Sequence, residues 1–385
     1  MNANVAVATD LFDNPLGTDG FEFVEFTSPE PERLKDLFER MGFAAVSRHR
    51  SKNVLRFAQG DINFILNMEP QGQPAAFRET HGPSANAMAF RVRDAAKALK
   101  LAVERGATPV SGLVGPMELN IPAIKGVGDS LIYFVDRWRG KQATQPGYRP
   151  GRIGDIGIYD VDFEPIEGPG QDPDAHPIGA GLLQIDHLTH NVHRGRMKEW
   201  AEFYERLFNF REVRYFDIEG RQTGLKSKAM CSPCGKIRIP INESSDDQSQ
   251  ISEYLDVYHG EGIQHVALAT SDIYRSVEVL RARGVQFQDT PDTYFEAVAA
   301  RLPGHGEPLD ELRRLRVLID GNPHSGGKEL LLQIFTRDLI GPIFFEIIQR
   351  KGHEGFGEGN FQALFESIEL DQIRRGVLKP HTATA

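Results

Sequence analysis

The segment Ile185–Val192 reads IDHLTHNV and sets two histidines three residues apart in an apolar run. An imidazole serves as a metal ligand or as an acid–base group, so each ring asks for a partner. In an extended strand residues 187 and 190 have opposite parity and face opposite sides, so the two rings cannot share one ion. The partner of His187 is instead His265, 78 residues on, in the strand-like QHVALAT. A third group, Glu346, stands in GPIFFEIIQR with bulky apolar neighbours on both sides and no lysine inside the run. A lone ionised carboxylate is costly in such surroundings unless a cation meets it. Two imidazoles and one carboxylate make the facial set that leaves adjacent positions of a divalent metal open to a chelating substrate and O2. The plainer alternatives are a hydrogen-bonded core histidine and an outward-facing glutamate on an edge strand.

The elements that must carry these residues repeat. Asp94–Gly106 and Asp272–Gly284 have equal length, with Asp at the expected N-cap and Gly just past the expected helix end. Each follows a short apolar strand, and superposing the two strands sets Ala87 opposite His265. Leu34, Leu37, Phe38 and Met41 form a helical stripe behind the strand at 21–26, as Trp200, Phe203, Tyr204 and Leu207 do behind IDHLTHNV. Strand–helix openings therefore recur near residues 21, 86, 185 and 264, with short strand candidates such as 225–230, 237–241, 330–335 and 343–348 after them. This predicts an α+β chain of four βαβββ modules, two per domain. The Pro/Gly-rich stretch 168–181 divides residues 1–167 from 182–385, and the run 156–163 reads as a strand closing the first domain. Strand alternation gives Gln333 and Phe335 one face, and Phe344 the face of Glu346. Phe361, Leu364, Phe365 and Ile368 form one side of a helix beginning near Asn360, behind a GFGEG run that permits movement. That helix would cap a pocket or pack on the outside.

Composition narrows the class. With 40% hydrophobic and 25% charged residues the chain reads as globular, and no apolar run approaches the roughly 18 residues of a membrane span. A net charge of -10 without a dense Lys/Arg cluster argues against nucleic acid. The first residues lack the pattern of a secretory signal, which makes the cytoplasm the expected compartment. The two cysteines form Cys231-Ser-Pro-Cys234, a redox pair or half a zinc site by spacing. No second pair exists, and a Gly and a strand-like run follow, which favours reduced thiols in a turn.

The strings IDHLTHNV, GIQHVAL, LLLQIF, FFEIIQRKG and GFGEGNFQALFESIE occur together and in this order. They resemble the 4-hydroxyphenylpyruvate dioxygenase family, from about residue 10 to residue 378. The resemblance implies a vicinal-oxygen-chelate fold with one iron(II) per chain on His187, His265 and Glu346. It implies conversion of 4-hydroxyphenylpyruvate and O2 to homogentisate and CO2 in tyrosine catabolism, with no external 2-oxoglutarate. Ser227, Asn242, Gln250, Gln264, Gln333, Phe335, Phe344, Asn360, Phe361 and Phe365 would then contact the substrate, Gln333 and Phe361 beside the reacting atoms, under a capping C-terminal helix. Alternation turns Gln264 away from His265, in tension with that role. The first domain would be a scaffold without metal, and the whole a homodimer or homotetramer. The neighbouring alternatives are 4-hydroxymandelate synthase, which oxidises the benzylic carbon, and a non-catalytic small-molecule binder of the same fold. The complete triad speaks against the binder, and Phe361 within GNFQALF favours attack on the ring.

Overall fold

The computed structural model describes residues 10–112, 114–138, 156–166, 179–219, 224–245 and 249–364. The first half runs β1 (Thr18–Thr27), α1 (Pro31–Arg40), β2 (Ala44–His49), β3 (Val54–Gln59), β4 (Ile62–Asn67), α2 (Gln73–His81), β5 (Ser84–Val92), α3 (Ala95–Glu104), β6 (Pro109–Val110), β7 (Ala123–Lys125), β8 (Leu131–Val135), α4 (Ile158–Asp162) and β9 (Phe163–Pro165). The second runs β10 (Leu182–Val192), α5 (Met197–Phe208), β11 (Arg211–Glu219), β12 (Gly224–Cys231), β13 (Arg238–Ser244), α6 (Gln250–Tyr258), β14 (Gly262–Thr270), α7 (Ile273–Ala282), α8 (Asp292–Arg301), α9 (Leu309–Leu315), β15 (Leu318–Gly321), β16 (Leu330–Phe335) and β17 (Phe344–Lys351). Among the described residues no helix is long and apolar enough to cross a membrane.

Each half is one sheet, ordered β6-β7-β8-β5-β1-β4-β3-β2-β9 and β11-β12-β13-β10-β14-β17-β16-β15. In every module the opening strand feeds a helix, and the meander behind it returns its last strand parallel to the first. The opening strands of paired modules lie antiparallel at the sheet centre, β1 on β5 and β10 on β14. This is the four-module α+β arrangement that the repeat predicts. The repeated helices start as their sequences require: Asp94 and Asp272 accept the N–H of Lys97 and Arg275, caps worth about 1 kcal/mol each. Gly106 and Gly284 end them with φ of +93° and +84°, a region that favours glycine.

One apolar core joins the helix-covered faces of both sheets. Phe208 of α5 meets Phe90 and Phe134 of the first sheet at 5.4 and 6.0 Å between ring centres, and Phe64 of β4 meets Phe345 of β17 at 5.9 Å. The opposite faces hold separate clusters. On the first sheet that face is covered by Trp138, Ile158 and Tyr159, packed with Phe23. The run 156–163, expected as a strand, winds into α4 before β9 pairs with β2. Two bonds favour the turn: Gly157 N–H donates to Asp160 Oδ2 at 2.7 Å, and Asp162 accepts from Leu119 N–H at 3.1 Å. Most of the expected linker, residues 168–178, and the helical positions Phe365 and Ile368 lie outside the described residues.

Candidate metal centre

Strand β10 splits its residues between two faces. Leu188 and Val192 enter the shared core, while His187, Thr189 and Asn191 take the other side. His190 goes with the core, its Nε2 2.8 Å from the Tyr204 hydroxyl of α5, and burial pushes it down to about 4. His265 on β14 lies beside Thr189, and Glu346 on β17 beside Ala267. The three side chains meet: His187 Nε2 is 3.2 Å from Glu346 Oε2, His265 Nε2 is 3.4 Å from it, and the two Nε2 atoms are 3.3 Å apart. All three residues are buried, at 8% exposure or less.

Two β-bulges decide how the rings are held. Along the β10–β14 ladder Ile185 pairs with Leu268 and His187 with Ala267, which leaves Asp186 as an extra residue. Thr189 pairs with His265 and His190 with Ile263, which leaves Gln264 extra. A bulged residue escapes strict alternation and is re-aimed. His187 Nδ1 faces Asp186 Oδ1 at 2.8 Å, and His265 Nδ1 faces Gln264 Oε1 at 2.6 Å. Alternation turned Gln264 away from His265; the bulge brings its amide oxygen back onto the ring, where it holds the imidazole.

With each Nδ1–H donating to an oxygen, each Nε2 presents a lone pair toward Glu346. The Thr189 hydroxyl also lies 3.0 Å from His265 Nε2, and the two rings with Glu346 set three metal-ligating groups at one point. Such a triangle suits a single divalent ion, whose ligand bonds of about 2.1 Å set perpendicular donors about 3 Å apart. Glu346 Oε1 is buried without a hydrogen-bond partner among the described residues. Burial would raise the Glu346 carboxyl, but when His187 carries a proton on Nε2 its positive charge, with hydrogen bonding from both rings, outweighs burial and holds the carboxyl down to about 2; a cation at the same point would take over that charge. Asp186, buried as deeply, is held well below the carboxylate range by Arg350 and His187.

Aromatic and polar side chains surround the cluster. Phe344 stacks on the His265 ring at 4.9 Å, Phe335 stands edge-on to it at 6.3 Å, and the two phenyl rings meet at 6.0 Å. Among the described residues, buried Gln333 has no partner for its Oε1 and Asn191 none for its Nδ2, while Asn242 Nδ2 is 3.5 Å from Asn191 Oδ1. Ser227 pairs with Asn242 across β12 and β13. Gln250 alone among the described pocket candidates is exposed, because the buried stripe of α6 is Ile251, Tyr254, Leu255 and Tyr258. The C-terminal helical residues begin at 358, two earlier than expected. Asn360 is buried, and its Oδ1 accepts from the Tyr294 hydroxyl of α8 at 2.6 Å, so its side chain anchors the segment. Phe361 is half-buried, and Phe365 lies outside the described residues. In GFGEG, Gly357 has a φ of +79°, a region that favours glycine, and a Cβ there or at Gly359 would push against the side-chain end of Gln333 or Asp320. Cys231 and Cys234 are free thiols at the turn between β12 and β13.

Sequence reasoning missed Asp186, Thr189, Asn191, Arg350 and Tyr294. Asp186 was within reach, since it precedes His187 as Gln264 precedes His265. The first half repeats both bulges, at Glu22 and Asn86. Its register places Phe23, Ala87 and Tyr133 where the second half has His187, His265 and Glu346. The Phe23 and Tyr133 rings, 5.7 Å apart, fill the position of the ligand cluster.

Comparisons with known proteins agree with this architecture. Residues 12–164 match the family model described as hydroxyphenylpyruvate dioxygenase, N-terminal, and residues 184–300 match that of the glyoxalase/bleomycin resistance protein/dioxygenase superfamily. A relative from Vibrio vulnificus named Hemolysin VllY is 59% identical, over 95% of this chain and 98% of its own. A 4-hydroxyphenylpyruvate dioxygenase from Pseudomonas aeruginosa is 58% identical, over 97% of this chain and 99% of its own. A solved structure of a mutant 4-hydroxymandelate synthase from Streptomyces coelicolor shares the fold, with a TM-score of 0.73 at 24% identity over 92% of this chain and 99% of that one. With relatives this similar over nearly their whole length, the chain belongs to the 4-hydroxyphenylpyruvate dioxygenase family.

Proposed function

We propose that the chain is an iron(II)-dependent 4-hydroxyphenylpyruvate dioxygenase that converts 4-hydroxyphenylpyruvate and O2 to homogentisate and CO2. The observation that carries this reading is the buried triangle of His187, His265 and Glu346 with Phe335 and Phe344 packed beside it. These three would hold one iron(II) per chain. When bound, iron(II) supplies the site for the 2-oxo acid and the electrons that let O2 react. The balance needs no external 2-oxo acid: one oxygen atom enters the carboxylate left by loss of CO2, and the other becomes the ring hydroxyl.

The protein's own work is holding and drying. Asp186 and Gln264 fix the two imidazoles in the tautomer that frees Nε2. Phe335 and Phe344 offer apolar surface to the substrate ring, while the unpartnered Gln333 and Asn191, with Asn242 and Ser227, offer polar atoms to its oxygens. Asn360, Phe361 and Phe365 would cap the site and keep water out. We assign no direct substrate contact to Gln264. Residues 1–167 act as a scaffold and 182–385 as the catalytic part, joined through 168–181, in a cytoplasmic homodimer or homotetramer; the two free thiols suit a reducing compartment.

Chromatography of the product formed from 4-hydroxyphenylpyruvate tests the reading. Homogentisate is expected; 4-hydroxymandelate without homogentisate would assign the chain to benzylic oxidation instead.

A further inference from the structure

His187 is tied to the C-terminal segment by contacts that no ligand role explains. Asp186, which accepts from His187 Nδ1, is held on its other side by Arg350: Nε donates to Oδ2 at 2.7 Å and Nη2 to Oδ1 at 2.8 Å. The remaining nitrogen of Arg350, Nη1, donates to the carbonyls of His353 at 3.1 Å and Gly355 at 2.6 Å. Those carbonyls belong to the turn that leads from β17, the strand of Glu346, to the helical residues 358–364. Phe356 in the same turn sets its ring edge-on to His187 at 5.5 Å, with the Arg350 guanidinium 5.7 Å from its centre. Arg238 of β13 joins the group, 3.5 Å from Asp186 Oδ2 and 2.5 Å from Glu354 Oε2.

A guanidinium forked on a carboxylate, with its last N–H groups on two carbonyls, is fixed from both ends. The turn cannot leave Arg350 without loosening Asp186, and Asp186 cannot shift without releasing His187. We propose that Arg350 is a positioning residue that couples occupancy of the metal centre to closure of residues 353–364. Filling the centre fixes His187, Asp186 and Arg350 in turn, and a closed turn presents His187 ready for the ion; the coupling is the same in both directions. The proposal rests on the metal reading above.

The test is hydrogen exchange of the full chain under anaerobic conditions, with and without Fe(II), alongside its iron affinity. In the wild type, Fe(II) is expected to slow exchange of 353–364 by about tenfold or more while β1 and β5 stay unchanged. In Arg350→Lys, iron affinity is expected to fall about tenfold, and saturating iron no longer slows that segment. Unchanged exchange of 353–364 on iron binding to the wild type, or a Lys variant that keeps both affinity and protection, would overturn the proposal. A variant that fails to fold shows itself by lost protection in β1 and β5, and the wild-type comparison then decides alone. Wild-type protein that takes up no iron overturns the metal reading, and this proposal with it, and is recognised by its iron content.

Discussion

Glu25 holds on β1 the position that Thr189 holds on β10, facing Ala87 where Thr189 faces His265. Burial lifts its carboxyl to about 6, although the Asn86 and Asn67 amides donate to Oε1 at 2.6 and 3.1 Å. A folded value above the ordinary 4.5 means that its contribution is full below about pH 4.5 and is lost as pH rises through 6. Glu25→Gln keeps the accepting oxygen and removes the titration. The variant is therefore expected to gain about 2 kcal/mol on the wild type between pH 4.5 and 7, visible in thermal melts across that range; melting curves that stay parallel would contradict it. In the second half, His187→Ala and Glu346→Ala are expected to abolish iron retention with the fold intact, whereas His190→Ala keeps iron and loses about 2–3 kcal/mol of stability. Metal analysis and denaturant titration separate the three. Parity, a rule of extended backbone, separates His187 from His190, and the equivalence of the module openings with His265 selects His187. Gln264 was misread for the converse reason: at a bulge that rule fails, and nothing in QHVALAT marks one.

At the scale of elements the two bulges and the C-terminal anchor position the site. The bulges lie next to both histidines, and the first half keeps them at Glu22 and Asn86 although its ligand positions are Phe23 and Ala87. The backbone device therefore exists independently of the ligands. The anchor is Tyr294, whose hydroxyl bonds Asn360 Oδ1, the Ile319 backbone and Arg301 Nη2. Tyr294→Phe leaves these groups short of a partner, at a cost of about 1–3 kcal/mol. It is expected to speed hydrogen exchange of residues 358–364 without changing iron content; unchanged exchange would show that the anchor lies elsewhere. The module order was legible because capped helices of equal length recur behind similar strands. The turn of α4 was not, since a short apolar run suits a strand and a short helix alike, and its decisive bonds come from Asp160 and Asp162.

For the whole molecule, the two sheets share one core across which Phe208, Phe90 and Phe134 pack. The halves are therefore expected to melt together, in a single calorimetric transition that Phe208→Ala lowers by about 3–5 kcal/mol. Two separated transitions would contradict a shared core. The Pro/Gly-rich stretch gives the expectation of a break between halves, whereas the core that joins them was not legible, since contacts this far apart in sequence leave no periodic trace. One half of this pair is proposed to carry a working iron centre, while the other fills the same place with rings. This is tested most directly by adding Fe(II) anaerobically to metal-free protein, then following oxygen uptake with 4-hydroxyphenylpyruvate. One iron is expected to bind per chain, and oxygen to be consumed only when iron and the 2-oxo acid are both present. Protein that binds no iron, or bound iron that consumes no oxygen with this substrate, would contradict the proposal.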